Sequence, residues 1–285
     1  MLDRQECLSY CKHMVREPAV AGRFYPARAD QIGRELPQYF SAEQGSPVHA
    51  IGCVVPHAGW MYSGHVAGAV YARVALPRRF IILCPRHFPM GQPLAINCQG
   101  AWRTPLGEVK IDEALADALV RACPLLREDD VAHRTEHSLE VQLPFLQHLL
   151  GDFKMVPIAL GTDRFASFET LGEAIAGVVA QARTESSDDV LVIASSDLNH
   201  YENDAITRMK DEKAIAQILD LNPRGLYDTV RRENISMCGF GPTTAMLIAA
   251  RRLGATRAEL IRHATSAEIS GDFDRVVGYA GIVVV

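Results

Sequence analysis

The sequence predicts an α/β fold in which one domain, residues 1–285, has a mainly parallel central sheet flanked by helices. Three observations lead to this prediction. Short apolar runs alternate along the chain with longer amphipathic stretches, the pattern of strands joined by crossover helices. No linker or shift in composition divides the chain into parts. An apolar content of 48% is enough to build a large core without disulfide bonds.

The predicted strands are short, continuous apolar runs, which are typical of strands buried on both faces. In chain order they are Ile51–Val55, Phe80–Cys84, Lys154–Leu160, Val190–Ala194 and Val276–Val285. Two glycines in the last run weaken it as a strand. The predicted helices are the amphipathic stretches that alternate with these runs. They are Ala29–Phe40, Gly64–Ala75, Asp112–Arg121, Ser138–Leu150, Phe165–Ala182, Asp204–Leu219 and Thr243–Leu253.

Charge and hydropathy exclude several kinds of partner. The formal charge of −5 gives no basic stripe of the kind that binds nucleic acid. No apolar run approaches the roughly 18 residues needed to span a membrane. The first residues contain no apolar signal-peptide core. We therefore expect a cytoplasmic protein with no nucleic-acid and no membrane partner.

The cysteines and the common catalytic motifs narrow the functional classes. Seven cysteines are scattered without a CxxC pair, as expected of reduced thiols. Cys7 and Cys11 lie within residues 1–15, which we expect to form a flexible N-terminal extension. The chain has no Walker loop, no GxGxxG after a strand and no GxSxG elbow. The sequence motifs that best indicate nucleotide binding and α/β-hydrolase chemistry are therefore absent from the sequence.

Three of the predicted strands run directly into polar side chains. The first strand is followed by His57, the second by His87, and the fourth by Asp197 and His200. In open α/β sheets, the loops that leave the carboxyl ends of the strands form the crevice where ligands bind. A lone histidine in such a loop is more often structural, but three at one edge predict a functional site.

Two of these histidines and one cysteine form a candidate metal site. Imidazole is the commonest metal-binding side chain, and His57 and His87 on neighbouring strand ends are able to converge on one ion. Cys238 is the candidate third ligand, because it lies in a glycine-rich turn just before a helix. Backbone amides and the helix dipole are expected to lower the pKa of a thiol there. The alternative is that Cys238 is a small buried hydrophobe.

His137 has two interpretations that the sequence leaves open. It lies three residues before Glu140 and so shares a helix face with it. In one interpretation it points into the crevice as a proton carrier. In the other it belongs to a polar cluster that caps the helix, with Glu136 and Glu140 solvated. The other histidines are expected to be surface or structural residues, and Trp60, Met61 and Tyr62 to pack their loop.

Taken in order, these motifs resemble the Memo family, which includes the B component of the AmmeMemoRadiSam gene group. The resemblance covers nearly the whole chain, and the ordered set is highly specific although no single motif is. The matching segments are 16–26 (REPAVAGRFYP), 56–64 (PHAGWMYSG), 85–87 (PRH), 103–107 (RTPLG), 136–140 (EHSLE), 195–200 (SSDLNH), 238–239 (CG) and 277–280 (VGYA).

The resemblance implies a fold similar to class III extradiol dioxygenases, which are non-haem iron enzymes. It also implies a metal site made from two histidines and a cysteine. The histidine of the PHAG segment is His57, that of the PxH segment is His87, and the cysteine of the CG turn is Cys238. These are the same three residues that the strand ends and the glycine-rich turn predict as ligands. The residues that match the family's segments beside the site are Asp197, His200 and His137.

The third ligand decides which chemistry we expect. The dioxygenases bind iron(II) with two histidines and a carboxylate, whereas here Cys238 stands in the carboxylate's place. Iron(II) is the first expectation for the cofactor, as in the dioxygenases, and copper or zinc are alternatives because a thiolate is a softer ligand than a carboxylate. Catechol cleavage cannot be carried over, because the thiolate is itself oxidisable.

Three functions therefore stay open. The first is a metal-dependent redox protein in which His200 and His137 move protons and Asp197 orients a histidine or a bound water. The second is a non-catalytic module that binds metal or peptide. The third is a metal-assisted hydrolase with His137 or His200 as the base. In each case we expect a small molecule or a peptide to bind in the metal crevice, and the sequence does not give the oligomeric state.

Overall fold

The computed structural model describes residues 15–40, 46–185 and 189–285. Apart from Val15, the predicted extension at residues 1–15, with Cys7 and Cys11, lies outside the described residues. The described residues form one α/β domain, as predicted, with a central sheet between helices. None of the helices in these ranges is long and apolar enough to cross a membrane.

Twelve strands form the sheet. They are β1 (Val15–Arg16), β2 (Gly52–Val55), β3 (Arg79–Pro85), β4 (Leu94–Ile96), β5 (Ala101–Thr104), β6 (Gly107–Ile111), β7 (Arg127–Glu128), β8 (Lys154–Leu160), β9 (Val190–Ser195), β10 (His200–Glu202), β11 (Ala258–Thr265) and β12 (Val276–Val284). The main path through the sheet is β1-β5-β6-β8-β3-β9-β2-β12-β10.

Nine α-helices lie in the described residues. They are α1 (Ala29–Glu35), α2 (Trp60–Arg73), α3 (Glu113–Ala122), α4 (Leu143–Leu150), α5 (Phe165–Glu185), α6 (Asp204–Leu219), α7 (Pro223–Arg232), α8 (Phe240–Arg252) and α9 (Ala267–Ser270). Short 3₁₀ turns precede or extend some of them, at Leu36–Tyr39, Val131–His133 and Glu140–Gln142.

The centre of the sheet is parallel, as predicted, and its margins are mixed. Strands β8, β3, β9 and β2 pair in parallel in that order. All four are buried apart from the first residues of β3 and β8, which is why the sequence shows them as unbroken apolar runs. The predicted last strand is β12, and it pairs antiparallel with β2, β10 and β11. The sheet is therefore mixed, with a parallel core.

Helices cover both faces of the sheet. A Cβ at Gly52 of β2 would approach the side chain of Met246 in α8, so α8 covers that face. Gly281 of β12 has the opposite orientation, because Val284 pairs with Gly52 and lies three residues further on. A Cβ at Gly281 would approach Val66 and Val70 of α2. The core is thus a three-layer packing of helix, sheet and helix.

Several predicted helices begin a few residues from their observed starts, and the error is largest for the helix before β8. The sequence places it at Ser138–Leu150, but the α-helix begins at Leu143 and a 3₁₀ turn, Glu140–Gln142, precedes it. A helix starting at 138 would have Pro144 in its interior, where the ring clashes with the carbonyl group four residues earlier. The chain therefore enters the helix immediately before the proline.

Candidate metal centre

The carboxyl ends of β3, β9 and β2 are neighbours, so the three predicted loops meet at one edge of the sheet. His57 follows β2, His87 follows β3, and Asp197 follows β9. Cys238 reaches the same edge from the turn before α8. One ligand atom from each of His57, His87 and Cys238 lies within 4.8 Å of the others. The structure thus brings together the three side chains that the sequence selected.

His57 forms the buried wall of this cluster. Only 1% of the residue is exposed. Its backbone N–H donates to Oδ1 of Asp197 at 2.7 Å, and its ring Nδ1 lies 3.0 Å from Oγ of Ser195. Its Nε2 lies 3.2 Å from Sγ of Cys238. Burial, together with the nearby histidines, holds the pKa of His57 well below its usual value, so the ring is neutral.

His87 forms the open side of the cluster and leaves 29% of its side chain exposed. Its backbone N–H and its ring Nδ1–H donate to the two oxygens of Glu136, at 2.7 and 2.9 Å. Burial alone would lower the pKa of His87, but the hydrogen bond and charge of Glu136 outweigh it and raise the pKa. A carboxylate that binds one ring nitrogen fixes the other toward a metal.

Glu136 is fully buried, which contradicts the capping interpretation, in which it is expected to be solvated. Its Oε1 also accepts from the backbone N–H and the hydroxyl of Ser138, at 2.9 and 2.7 Å. Burial would raise its pKa, but the hydrogen bonds and charge of His87, with a smaller charge interaction from His137, lower it to about 2. Glu140 is equally buried, so that expectation is wrong for both carboxylates.

His137 lies beside the cluster. Its ring centroid is 4.5 Å from that of His87 and 5.5 Å from that of His57. On its other side it packs against Phe24 at 4.7 Å. Burial lowers its pKa to about 4, so the ring is neutral near pH 7. The position fits the crevice interpretation of His137. The capping interpretation is wrong, because α4 begins only at Leu143 and Glu136 caps no helix, and the helix face that His137 was expected to share with Glu140 is not formed.

The pKa of the Cys238 thiol moves in the opposite direction from the one predicted. Burial and the charge of Asp197 raise it well above its usual value, although backbone amide groups at Asp197 and Gly239 act to lower it. The prediction counted the amides and the helix dipole but not the desolvation of the site. Sγ remains close to a backbone oxygen, that of Asp197 at 3.7 Å.

Asp197 and His200 lie beside the ligands and do not belong to the cluster. Asp197 holds the backbone of His57, and its Oδ2 is 4.0 Å from His57 Nε2. His200 is fixed by Ser236, because its Nδ1–H donates to the Ser236 carbonyl oxygen at 2.9 Å. Ser236 in turn donates from its N–H and its hydroxyl to Oδ1 of Asn199, both at 3.1 Å. The loop after β9 is thereby tied to the turn that carries Cys238.

Several residues that shape the centre were missed by sequence reasoning. Glu136 was considered only as a solvated or capping residue, and Ser195 only as part of a strand end. Gln142 is fully buried and donates to Ser195 Oγ at 3.0 Å, yet it was read only as part of a helix. The signal of Ser195 and Gln142 in the sequence was a polar residue within an otherwise apolar segment, whereas Glu136 lies in a polar segment and had no such signal.

The remaining candidates behave mostly as expected. His133 is buried against Trp102, and His263 bonds to Asp211 at 2.9 Å. Trp60 begins helix α2 rather than lying in a loop, and it packs in the core with its Nε1–H donating to Val141 O at 3.1 Å. Met61 differs from its neighbour, because 58% of it is exposed. The five cysteines in the described residues are free thiols: Cys53, Cys84, Cys98, Cys123 and Cys238.

A groove of about 790 Å³ runs beside the centre. Phe24, which packs on His137, lines the groove together with Arg23, Arg34 and Met61. None of the three candidate ligands lines the groove, and the contact between Phe24 and His137 is what connects it to them; its walls carry both apolar and charged side chains. Its size falls within the usual range of small-molecule sites.

Comparison with known proteins places the chain in a family. The family model for Memo-like proteins matches residues 16–283. The chain belongs to the Memo family. A MEMO1 family protein of Methanopyrus kandleri is 42% identical over 283 residues, covering 95% of this chain and 99% of that protein. One from Methanosarcina barkeri is 42% identical over 271 residues, covering 95% and 100%. One from Methanocaldococcus jannaschii is 41% identical over 288 residues, covering 95% and 99%.

A solved structure supports the fold of this Memo-family chain. The crystal structure of an uncharacterized protein of Escherichia coli K12 aligns with a TM-score of 0.50 and 12% sequence identity. The alignment covers 81% of this chain and 98% of that one. At this identity the likeness concerns the fold alone. The similarity to class III extradiol dioxygenases remains a prediction.

Proposed function

We propose that this Memo-family protein is a metal-dependent redox protein that binds iron(II) through His57, His87 and Cys238. The observation that carries the proposal is the approach of one ligand atom from each side chain to within 4.8 Å of the others. The exposed edge of His87 leaves the cluster open to a small molecule from solvent. A site with three protein ligands and an open side is typical of catalytic rather than structural metal sites.

The donor set fits a transition metal. Two neutral imidazoles and a thiolate are borderline-to-soft ligands, which iron(II), copper and zinc accept and calcium or magnesium do not. Glu136 behind His87 is the kind of outer partner that metal-binding histidines have. We favour iron over zinc because the sequence resemblance implies a fold similar to that of non-haem iron enzymes.

A bound iron(II) would supply one-electron chemistry and open coordination positions. The protein's own residues orient the ligands and handle protons. Asp197 fixes the loop that carries His57, through the bond to its backbone N–H. His200 donates from Nδ1 to Ser236, which leaves Nε2 as the nitrogen that can take up or deliver a proton. We assign the second proton-transfer position to His137.

The decisive experiment is metal analysis of full-length protein purified without oxygen. Cys7 and Cys11 are first changed to serine so that thiols outside the described residues do not contribute. We expect bound iron in this background and its loss in Cys238→Ser and in His57→Gln. The matched controls are Cys98→Ser and His49→Gln, which change the same residue types outside the cluster and should retain the metal.

Two outcomes contradict the proposal: protein that binds no transition metal, and unchanged metal content in Cys238→Ser. Oxygen uptake by the iron-loaded protein separates a redox enzyme from a binding module, which would show none. Zinc as the native ion, together with hydrolysis of model esters or amides, would instead support the hydrolase. The observation that supports this second function is the solvent-exposed edge of His87.

A further inference from the structure

A neutral histidine can bind a metal only through the ring nitrogen that carries no proton. For His87 the choice is clear, because its partner is a carboxylate that only accepts. For His57 the partner of Nδ1 is the hydroxyl of Ser195, which is able to donate or to accept. The state of His57 therefore depends on where the single hydroxyl hydrogen of Ser195 goes.

Two backbone carbonyl oxygens settle the directions of the surrounding hydrogen bonds, because a carbonyl only accepts. The carbonyl of Pro56 lies 2.9 Å from the amide nitrogen of Gln142, which must therefore be the NH₂ group. The amide oxygen of Gln142 then accepts from the hydroxyl of Tyr71 at 2.8 Å. This orientation leaves the second amide hydrogen of Gln142 for Ser195 Oγ, at 3.0 Å.

The second carbonyl is that of Ser138, which lies 2.6 Å from Ser195 Oγ. Only a donor can approach a carbonyl oxygen so closely, so the hydroxyl hydrogen of Ser195 points to Ser138. With its one hydrogen used and one acceptor position filled by Gln142, Oγ has only an acceptor position left. His57 must fill that position as a donor.

We propose that Ser195 is a positioning residue that, held by Gln142 and the Ser138 carbonyl, fixes His57 as the Nδ1–H tautomer. The unprotonated Nε2 then faces Cys238, 3.2 Å away, and is presented to the metal. This inference rests on the proposed metal site. It concerns the metal-free protein as well, because the hydrogen bonds that support it all lie within the chain.

The surroundings make this arrangement rigid. Gln142, Ser138 and Ser195 are fully buried, and 1% of His57 is exposed. Exchanging the tautomer would leave a buried donor or acceptor without a partner, which costs free energy in a site closed to water. Ser195 is an uncharged hydrogen-bond partner of His57, whereas Glu136 is a charged hydrogen-bond partner of His87.

The direct test is nitrogen NMR of metal-free, full-length protein labelled with ¹⁵N-histidine. The two tautomers give different couplings and shifts at the ring nitrogens, and the signal missing in His57→Gln identifies His57. We expect the Nδ1–H tautomer in the wild type and a substantial population of the Nε2–H tautomer in Ser195→Ala. An Nε2–H ring in the wild type overturns the inference, whatever the variants do.

Metal affinity is the second readout. Ser195→Ala should weaken binding about 10- to 100-fold, the usual effect of removing a partner of a metal-binding histidine. Ser63→Ala is the matched control, since it removes another buried hydroxyl that donates to a carbonyl, that of Ala58 at 3.1 Å. Its affinity should be unchanged. Equal losses in both variants would mean a merely structural effect and would contradict the role of Ser195.

The two proposals fail in different ways. If the wild type binds no metal but shows the Nδ1–H tautomer, the metal function is wrong and the role of Ser195 in the ring's tautomer stands. If it binds metal with His57 as Nε2–H in the metal-free form, the metal function stands and the role of Ser195 is wrong.

Discussion

Gly239 shows how closely two loops approach at the metal centre. A Cβ at this position would lie 2.4 Å from both the carbonyl oxygen of Ser195 and Cβ of Ser196. The Gly239 N–H also donates to Ser196 Oγ at 3.1 Å. A glycine is thus needed here for space, and the turn that carries Cys238 lies directly on the strand end behind His57.

We predict that Gly239→Ala displaces Cys238 and destabilises the protein by roughly 1–3 kcal/mol, the usual cost of overpacking. Metal affinity should fall as well, because Sγ no longer meets the two histidines. Urea unfolding and metal titration measure the two effects. Gly177→Ala in α5 is the control: no atom lies near its Cβ position, and alanine there should stabilise the helix by up to about 1 kcal/mol.

His133 gives a prediction for the dependence of stability on pH. Burial and the positive charge of Arg16 lower its pKa to about 4 in the folded protein, below the usual 6.5. The unfolded chain therefore binds the proton first as the pH falls. The stabilising contribution is complete above about pH 6.5 and is lost as the pH falls toward 4, by about 3 kcal/mol.

Replacing His133 by phenylalanine should remove this loss. The ring packs against Trp102 at 5.5 Å in an edge-on arrangement that another aromatic ring can adopt. In urea unfolding of metal-free protein, His133→Phe should lose about 3 kcal/mol less than the wild type between pH 7 and pH 4. His148→Phe changes an exposed histidine and should follow the wild type. Parallel pH curves for the wild type and His133→Phe would contradict the assignment.

At the scale of elements, Glu140 attaches the first described segment to the 3₁₀ turn before α4. Its carboxylate accepts from the N–H groups of Ala19 and Val20, at 2.8 and 3.1 Å, and from the hydroxyl of Tyr25 at 2.7 Å. It also forms an ion pair with Arg16. One buried carboxylate therefore contacts the segment that precedes α1 at four of its residues.

We predict that Glu140→Gln destabilises the protein by about 3–5 kcal/mol, because it leaves the charge of Arg16 buried without its partner. Hydrogen exchange should show faster exchange at Ala19 and Val20. Glu173→Gln in the exposed pair with Arg252 is the control and should cost less than about 1 kcal/mol. Unchanged protection at Ala19 in Glu140→Gln would show that other contacts hold the segment.

The sequence predicted the long buried elements better than the short or partly exposed ones. Strands β2, β3, β8 and β9 appear within a residue or two of their predicted bounds, because burial on both faces makes them unbroken apolar runs. Strands such as β5 and β6 were missed because they are short and partly exposed and owe their conformation to pairing. Helix α7 was missed although it begins at Pro223, a common first residue of helices, because its few buried apolar side chains, such as Leu226 and Val230, stand in a mostly polar segment.

The candidate ligands were predictable for a similar reason, since strand ends in a parallel sheet meet at one edge. The hydrogen-bond partners behind them were not. Glu136 meets His87, and Gln142 meets Ser195, across dozens of residues of chain, and no local pattern in the sequence pairs them. The predicted direction of the Cys238 pKa was wrong because burial is a property of the assembled site and not of the turn alone.

At the scale of the whole molecule, one contiguous cluster of buried apolar side chains joins the sheet to helices on both faces. The two tryptophans, Trp60 in α2 and Trp102 in β5, both belong to it and are nearly inaccessible to solvent. We therefore predict that the described domain unfolds as one unit. Thermal curves from tryptophan fluorescence and from far-ultraviolet circular dichroism should coincide. Separate midpoints would show that the sheet margins unfold independently of its centre.

The order of strands in the sheet also sets when, during synthesis on the ribosome, the metal centre can first assemble. β2 and β3 carry the two histidines, yet they are not neighbours: β9 lies between them and pairs with both. A nascent chain that has not yet produced residues 190–195 therefore has nothing to hold its two imidazoles side by side. Cys238 emerges later still. The protein should acquire its metal only after nearly all of the chain has been made.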